Sequence, residues 1–447
     1  MVLLKVLKSQ PIGIEITMAK KNRLIIIGAG IGGLYSGYKL IDEFDEVLII
    51  DKGKEVGGLA RSVQYKNDYI EKFYHYYGPE TPFIFELLKE LNLDDKIVWS
   101  TVKRGSYIDD KFHPMEKPFD LLKFSKIPFF SRIKLGLMVL LTRFFIKWEK
   151  IDHLTSKDFL LKMLDQKTYD VLWKPLFDLK FKEYQDQIPA PFLWSRLKIQ
   201  TEKIAYIKGG LNDCINILEN KFLNKNGKIL LGTQVESIET KENKVTGVKL
   251  DDNKFIEASC VLTTVPTPIL NKLCKFNGIE KELIQEKEWM GVVCAVLLLK
   301  KEFSNFMWLN VISKDIPFVG VIDYTLLNPE YKADDCNIVY VPDYVSTSHE
   351  HFLMEDDLFL QKVYLNLKKI NPEFDESWVS NAFVSKAPYA QNISFTGFGK
   401  RIIPINSNIN GLYINDWSQF YPWDRGLSNS IKIAKQAINV IKKEEAL

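Results

Sequence analysis

Apolar and polar positions divide the chain into stretches of different period. Residues 24–27 (Leu-Ile-Ile-Ile) form an unbroken apolar run, the pattern of a central parallel strand buried on both faces. The run enters "GAGIGG" at 28–33, after which Leu34, Tyr38 and Ile41 recur at helical spacing. A second apolar strand, "EVLIID" (46–51), follows. Alternation predicts further strands at 229–238, 245–250 and 255–263, then a second group at 290–300, 306–312, 317–324 and 337–342. Residues 83–205 read as largely helical, punctuated by Pro114, Pro118, Pro128 and Pro175. The stretch 354–370 reads as a helix with acids first and lysines last, in accord with the helix dipole. No internal repeat or low-complexity segment is visible.

Strand, glycine turn and helix in that order make a dinucleotide site. Gly28 allows the tight turn, Gly30 lets the backbone approach a pyrophosphate, and Gly33 lets the helix pack close to the strand. Ile31 and Gly32 belong to the helix N-terminus, whose N–H groups face the anion. Asp51, ending the second strand, can accept hydrogen bonds from ribose hydroxyls. A glycine turn in an unrelated βαβ unit is the bland alternative, and the combination of both strands, helix and terminal acid argues against it. Nicotinamide dehydrogenases usually continue from that acid into a helix. Here Lys52 leads instead into a second glycine turn, Gly57 and Gly58 followed by Leu59, Ala60 and Arg61, which brings further backbone amides against the cofactor.

This arrangement resembles the FAD-binding signature of the amine oxidase and protoporphyrinogen oxidase superfamily, which includes carotenoid desaturases. Further segments resemble that superfamily in order along the chain: 71–93, 169–196, "YIKGGLNDCINILENKF" (206–222), "TQVESIE" (233–239), "CVLTTVPTPIL" (260–270) and 411–438. The resemblance implies an α/β fold. Its parts are a discontinuous Rossmann-like FAD-binding domain of the glutathione-reductase type (18–80, 206–285 and 396–447) and a mixed-sheet plus helical substrate domain (81–205 and 286–395). It further implies that Val235 meets the adenine and that Thr264 ends a strand at the cofactor. Asp416 would lie near the pyrophosphate and ribityl chain, and the backbone at Leu427 and Ser428 would face the flavin pyrimidine. The family more often has Ala-Gly-Asp where this chain has Ile414, Asn415 and Asp416.

Composition sets outer bounds. The 447 residues exceed what one hydrophobic core serves, so two domains are expected. A net charge of +3 without a basic stripe gives no case for nucleic acid, and eight arginines limit the number of phosphate forks. Five cysteines with no CxxC spacing read as free thiols in a reducing cytoplasm. A lone HxH at His349 and His351 does not specify a metal. No apolar run is long enough to span a membrane. The segment 135–148, interrupted by Arg143, reads as a buried core helix, with a helix lying on the inner membrane surface as the alternative. Residues 1–17 read as a disordered extension or an early start ahead of Met18, and the protein as cytoplasmic.

The resemblance implies hydride removal from a C–H bond of a small organic substrate to flavin N5, with the electron acceptor left open. His75, Tyr74 and Tyr389 are the candidate catalytic residues, and Tyr76, Tyr421, Trp423 and Arg425 the candidate substrate contacts. The bland reading of "FYHYY" (73–77) is a core strand whose alternation puts Phe73, His75 and Tyr77 on one face and Tyr74 and Tyr76 on the other. FAD is expected to be non-covalent. Amine oxidase relatives attach it through a cysteine near the closing motif, and Cys336, the last cysteine, lies far upstream of that motif. Two alternatives remain open. One is an enzyme of the UDP-galactopyranose mutase kind, though Glu80 stands where that family has a histidine. The other is a non-catalytic carrier resembling Rab GDP-dissociation inhibitors.

Overall fold

The computed structural model describes residues 22–115, 118–199 and 201–446. The expected extension 1–17 and Met18 lie outside them. Five parallel strands form the first sheet, in the order Leu412–Ile414, Cys260–Thr263, Arg23–Ile27, Glu46–Asp51, Lys228–Leu231. The apolar run at 24–27 is buried on both faces, as its composition requires. Leu24 and Ile26 join a core with the helices Ile31–Leu40, Asn212–Asn224 and Leu427–Glu444, whereas Ile25 and Ile27 join Val235, Ile238 and Val248 of a three-stranded antiparallel sheet on the opposite side.

The second large sheet has seven strands, ordered Val379–Ile393, Glu288–Leu299, Asn337–Val345, Gly320–Asp323, Trp308–Ile312, Arg104–Ile108, Lys111–Pro114. In Glu288–Leu299, Val293, Ala295 and Leu297 pack with the helix Asp356–Ile370, and Val292, Cys294 and Val296 face a core built with the helices of residues 118–199. The helical expectation for 83–205 is corrected in part. Ile97–Thr101 and Lys203–Ile207 pair with each other, and Arg104–Ile108 runs parallel to Trp308–Ile312. All five cysteines are buried and unpaired.

The segment 135–148 departs from a plain core helix. The helix Phe129–Phe144 buries Ser131, Leu135, Met138 and Thr142 and turns Phe129, Phe130, Ile133, Leu137, Leu140 and Phe144 outward. Among the described residues, no helix is long and apolar enough to cross a membrane.

Candidate active site

One continuous cavity of about 1380 Å3 runs from the glycine turns at the carboxyl ends of the parallel strands to the inner face of the seven-stranded sheet. It exceeds the roughly 300–1,000 Å3 of a drug-sized ligand's site. Its first half is backbone. Gly28 holds φ +111°, and a Cβ there would stand 2.4 Å from Thr264 Oγ1. A Cβ on Gly33 would stand 2.0 Å from the Gly28 carbonyl oxygen, so this glycine is what lets the helix sit on the strand. Gly30 differs: a Cβ there would meet nothing within 4 Å, because it would enter the cavity. The second turn lies directly on the first. The Gly57 N–H donates to the Ala29 carbonyl at 2.8 Å, and a Cβ on Gly58 would approach Gly30 Cα to 3.2 Å.

The residues present here fit a flavin dinucleotide. Two helices, Ile31–Leu40 and Leu427–Glu444, begin at the cavity wall; neither has a side-chain cap or an acid in its first turn. Their first-turn N–H groups therefore offer unclaimed donors and the positive ends of two dipoles. The Asn415 Nδ2 is buried without a hydrogen-bond partner among the described residues, 3.4 Å from where a Cβ on Gly32 would stand. The departure from the family's usual glycine thus places one more donor beside the helix N-terminus.

The expected cofactor residues Gly28, Gly30, Ile31, Gly32, Asp51, Lys52, Gly57, Gly58, Leu59, Ala60, Val235, Thr264, Asp416, Leu427 and Ser428 all line the cavity. Gly33 and Arg61 do not. Gly33 sits behind the turn, and Arg61 turns to Glu55, whose carboxylate is 3.5 Å away. Asp51 accepts from the N–H of Ala29 at 2.7 Å and of Gly53 at 2.6 Å, so it braces both turns as well as facing the cavity. The Asp416 carboxylate accepts from the Thr267 and Ser418 N–H groups at 2.9 and 2.7 Å. Burial pushes its pKa up, against those hydrogen bonds and nearby Lys287. Its visible work is to cap two short helices at the cavity floor.

The second half of the cavity is aromatic, and there the segment 73–77 is extended coil rather than a strand. All five of its residues line the cavity. Tyr74 and Tyr76 both meet the ring of Trp308, whereas His75 turns to Glu71 and Tyr77 packs into the core beside the parallel sheet, so these four side chains divide as the alternation predicts without a continuous ladder. Only Tyr77 is drawn into a ladder, bridging Ala205. The Tyr74 hydroxyl lies 3.2 Å from that of Tyr344, and its ring meets Trp308 edge-on at 5.4 Å. His75 Nδ1 lies 2.9 Å from Glu71 Oε2. Glu71 is 1% exposed, and its other oxygen accepts from the Leu211 N–H at 3.0 Å. A carboxylate only accepts, so Nδ1 is the nitrogen that donates to Glu71, and Nε2 is left for other partners.

Tyr76, Tyr389, Trp423 and Arg425 also line this chamber, whereas Tyr421 does not. Its hydroxyl donates to Asp152, and its ring packs against Trp148 and Phe398. Arg425 reaches the Ala390 carbonyl, Gln391 Oε1 and the Tyr344 hydroxyl. Sequence reading missed Glu71, Tyr344, Lys180, Arg196 and Asp424. Two local signals were available, Glu71 four residues before His75 and the adjacent Asp-Arg pair at 424–425; Tyr344, Lys180 and Arg196 come from distant segments.

Comparison with known proteins agrees with this geometry. Residues 31–415 match the family model of flavin-containing amine oxidoreductases. A 4,4'-diaponeurosporene oxygenase of Staphylococcus aureus is 23% identical over 281 residues, which are 55% of this chain and 56% of that protein. The chain thus spans about half the length of the curated relatives it matches. Among solved structures, a candidate protoporphyrinogen oxidase from Exiguobacterium sp. 255-15 superposes with a TM-score of 0.77 at 17% identity, over 95% of this chain and 99% of that one. A reduced UDP-galactopyranose mutase superposes with a TM-score of 0.73 at 11% identity, over 94% and 96%. At such identities these structures speak for the fold alone. With most of its length matched, the chain belongs to the flavin-containing amine oxidoreductase family.

Proposed function

We propose that the protein binds FAD non-covalently and removes hydride from a C–H bond of a small organic substrate held in the aromatic chamber. One observation carries this reading: the backbone-lined half of the cavity and the aromatic half are continuous. When bound, the flavin supplies the hydride acceptor. The chain's own residues do the rest. The two helix N-termini and the Asn415 amide hold the pyrophosphate, and Asp51 steadies the turns that shape its site. None of the five cysteines lines the cavity, which supports non-covalent binding. Tyr74, Trp308 and Trp423 confine an apolar substrate and exclude water, and His75 Nε2 is placed to take a proton while Glu71 fixes the ring.

The test is anaerobic mixing of the purified protein with protoporphyrinogen, 4,4'-diaponeurosporene or UDP-galactopyranose while following flavin absorbance. Bleaching by a C–H donor is expected. Conversion of UDP-galactopyranose by the dithionite-reduced protein, with bleaching by neither of the other two, would transfer the assignment to a mutase.

The outward apolar face of Phe129–Phe144 belongs to the same reading. Lys134 within this helix, and Lys123 and Lys147 in the segments that flank it, are exposed, a charge that suits an anionic bilayer surface. The helix packs on Ala190–Ile199, whose Leu193, Arg196 and Leu197 line the chamber, and Lys198 donates to the Arg143 carbonyl. We infer that this face rests on the membrane beside the chamber. Cosedimentation with vesicles containing phosphatidylglycerol is expected, weakened by the double change Phe130→Ser and Leu137→Ser. Equal recovery in the supernatant with and without vesicles would contradict it.

A further inference from the structure

Lys180 stands near the end of the helix Lys174–Phe181 and lines the aromatic chamber. Its Nζ lies 5.1 Å from the ring centre of Phe192 and 5.5 Å from those of Phe181 and Tyr344. Among the described residues it makes no hydrogen bond and no ion pair. Arg196 stacks its guanidinium 4.4 Å above Phe192 and pairs with Asp424, but its buried Nε has no partner. Arg425 directs its donors to Ala390, Gln391 and Tyr344. Three cations therefore share one carboxylate. Glu80, the other acid lining this end, has Arg104 and Arg143 as its charged neighbours rather than Lys180.

A buried ammonium without counter-charge is costly, and the group answers by giving up its proton or by acquiring an anion. Burial, reinforced by Arg196 and Arg425 and opposed by Asp424, lowers Lys180 well below the ordinary lysine range. An oxyanion seated between Lys180 and Arg196 restores the ammonium and meets the idle guanidinium donor.

We propose that Lys180 and Arg196 form an oxyanion subsite that takes the carboxylate or phosphate end of the substrate, whose apolar body lies along the chamber's aromatic rings. The subsite deepens the functional reading above and rests on it. It also disfavours a cationic amine as substrate, because the chamber already holds excess positive charge.

The experiment titrates flavin-loaded protein with decanoate, decyl phosphate, decanamide and decylamine. Two readouts are followed, the visible flavin spectrum and the fluorescence of the chamber tryptophans Trp308 and Trp423. The anions are expected to bind about 10- to 100-fold tighter than decanamide, the range for hydrogen bonds to a charged group, with decylamine weakest. Whichever of decanoate and decyl phosphate binds tighter identifies the oxyanion. Lys180→Met should bring decanoate down to the level of decanamide and leave decanamide unchanged; Arg196→Gln serves the same purpose should the first variant not fold. Equal affinities for the four probes, or an equal loss of all four in the variants, would overturn the subsite. Anion preference in the fluorescence of a protein that carries no flavin would keep the subsite and remove the cofactor reading. A flavin-loaded protein without anion preference would do the reverse.

Discussion

Gly30→Val is expected to give a folded but colourless protein. Gly30 has φ −70° and ψ 177°, extended backbone that valine adopts readily, and no atom stands within 4 Å of the new Cβ. The fold therefore has no reason to object. The branched side chain instead occupies the cavity where the Ile31–Leu40 helix begins, and keeps a pyrophosphate from the helix's first N–H groups. Losing two charge-assisted hydrogen bonds at about 1.5 kcal/mol each lowers FAD affinity about 100-fold or more. The position matters. Valine at Gly28 or Gly33 would collide with Thr264 or with the Gly28 carbonyl and disturb the strand–helix packing itself, so those changes would not separate binding from folding. Full flavin occupancy in purified Gly30→Val would show that the cofactor does not lie on this turn.

His75→Ala is expected to leave the protein yellow and folded while slowing anaerobic bleaching by substrate about 100-fold, the lower end of what a positioned acid or base contributes. The ring is anchored from one side only: Nδ1 to the buried Glu71, Nε2 toward the cavity. The backbone there is held independently, since the Tyr324 hydroxyl donates to the His75 carbonyl at 2.6 Å and the Tyr340 hydroxyl to that of Glu71 at 2.9 Å. Removing the imidazole thus leaves the segment in place. Unfolding or loss of flavin would mark His75 as a structural residue. Unchanged bleaching would move the proton-transfer role to Tyr74 or Tyr76.

The cofactor half of this architecture was legible in the sequence because its signals are local. An apolar run, three glycines at fixed spacing and a terminal acid each answer to one steric or electrostatic demand within a few residues. The chamber was not legible in that way. Val379–Ile393 is the longest strand in the structure, yet its stretch contains Pro388 and several polar residues that break alternation. It is a strand because Glu288–Leu299 supplies its ladder, with a register shift between Met290 and Val292. Arg104–Ile108 likewise depends on Trp308–Ile312, a partner far along the chain. Lys180, Arg196 and Asp424 meet from three separate segments, so no spacing could announce them. In "FYHYY" the alternation foretold the sharing of side chains between two sides but not the coil. With a ladder only at Tyr77, Tyr74 and Tyr76 still share the ring of Trp308 while His75 and Tyr77 turn elsewhere.

Acid precipitation of the freshly purified protein shows whether this cavity holds FAD by non-covalent contact. The native protein should show the two-band visible spectrum of oxidised flavin. After precipitation the colour should pass entirely into the supernatant as intact FAD, leaving a white pellet. A colourless native protein, a supernatant flavin other than FAD, or flavin retained on the denatured chain would rule out non-covalently held FAD in this cavity.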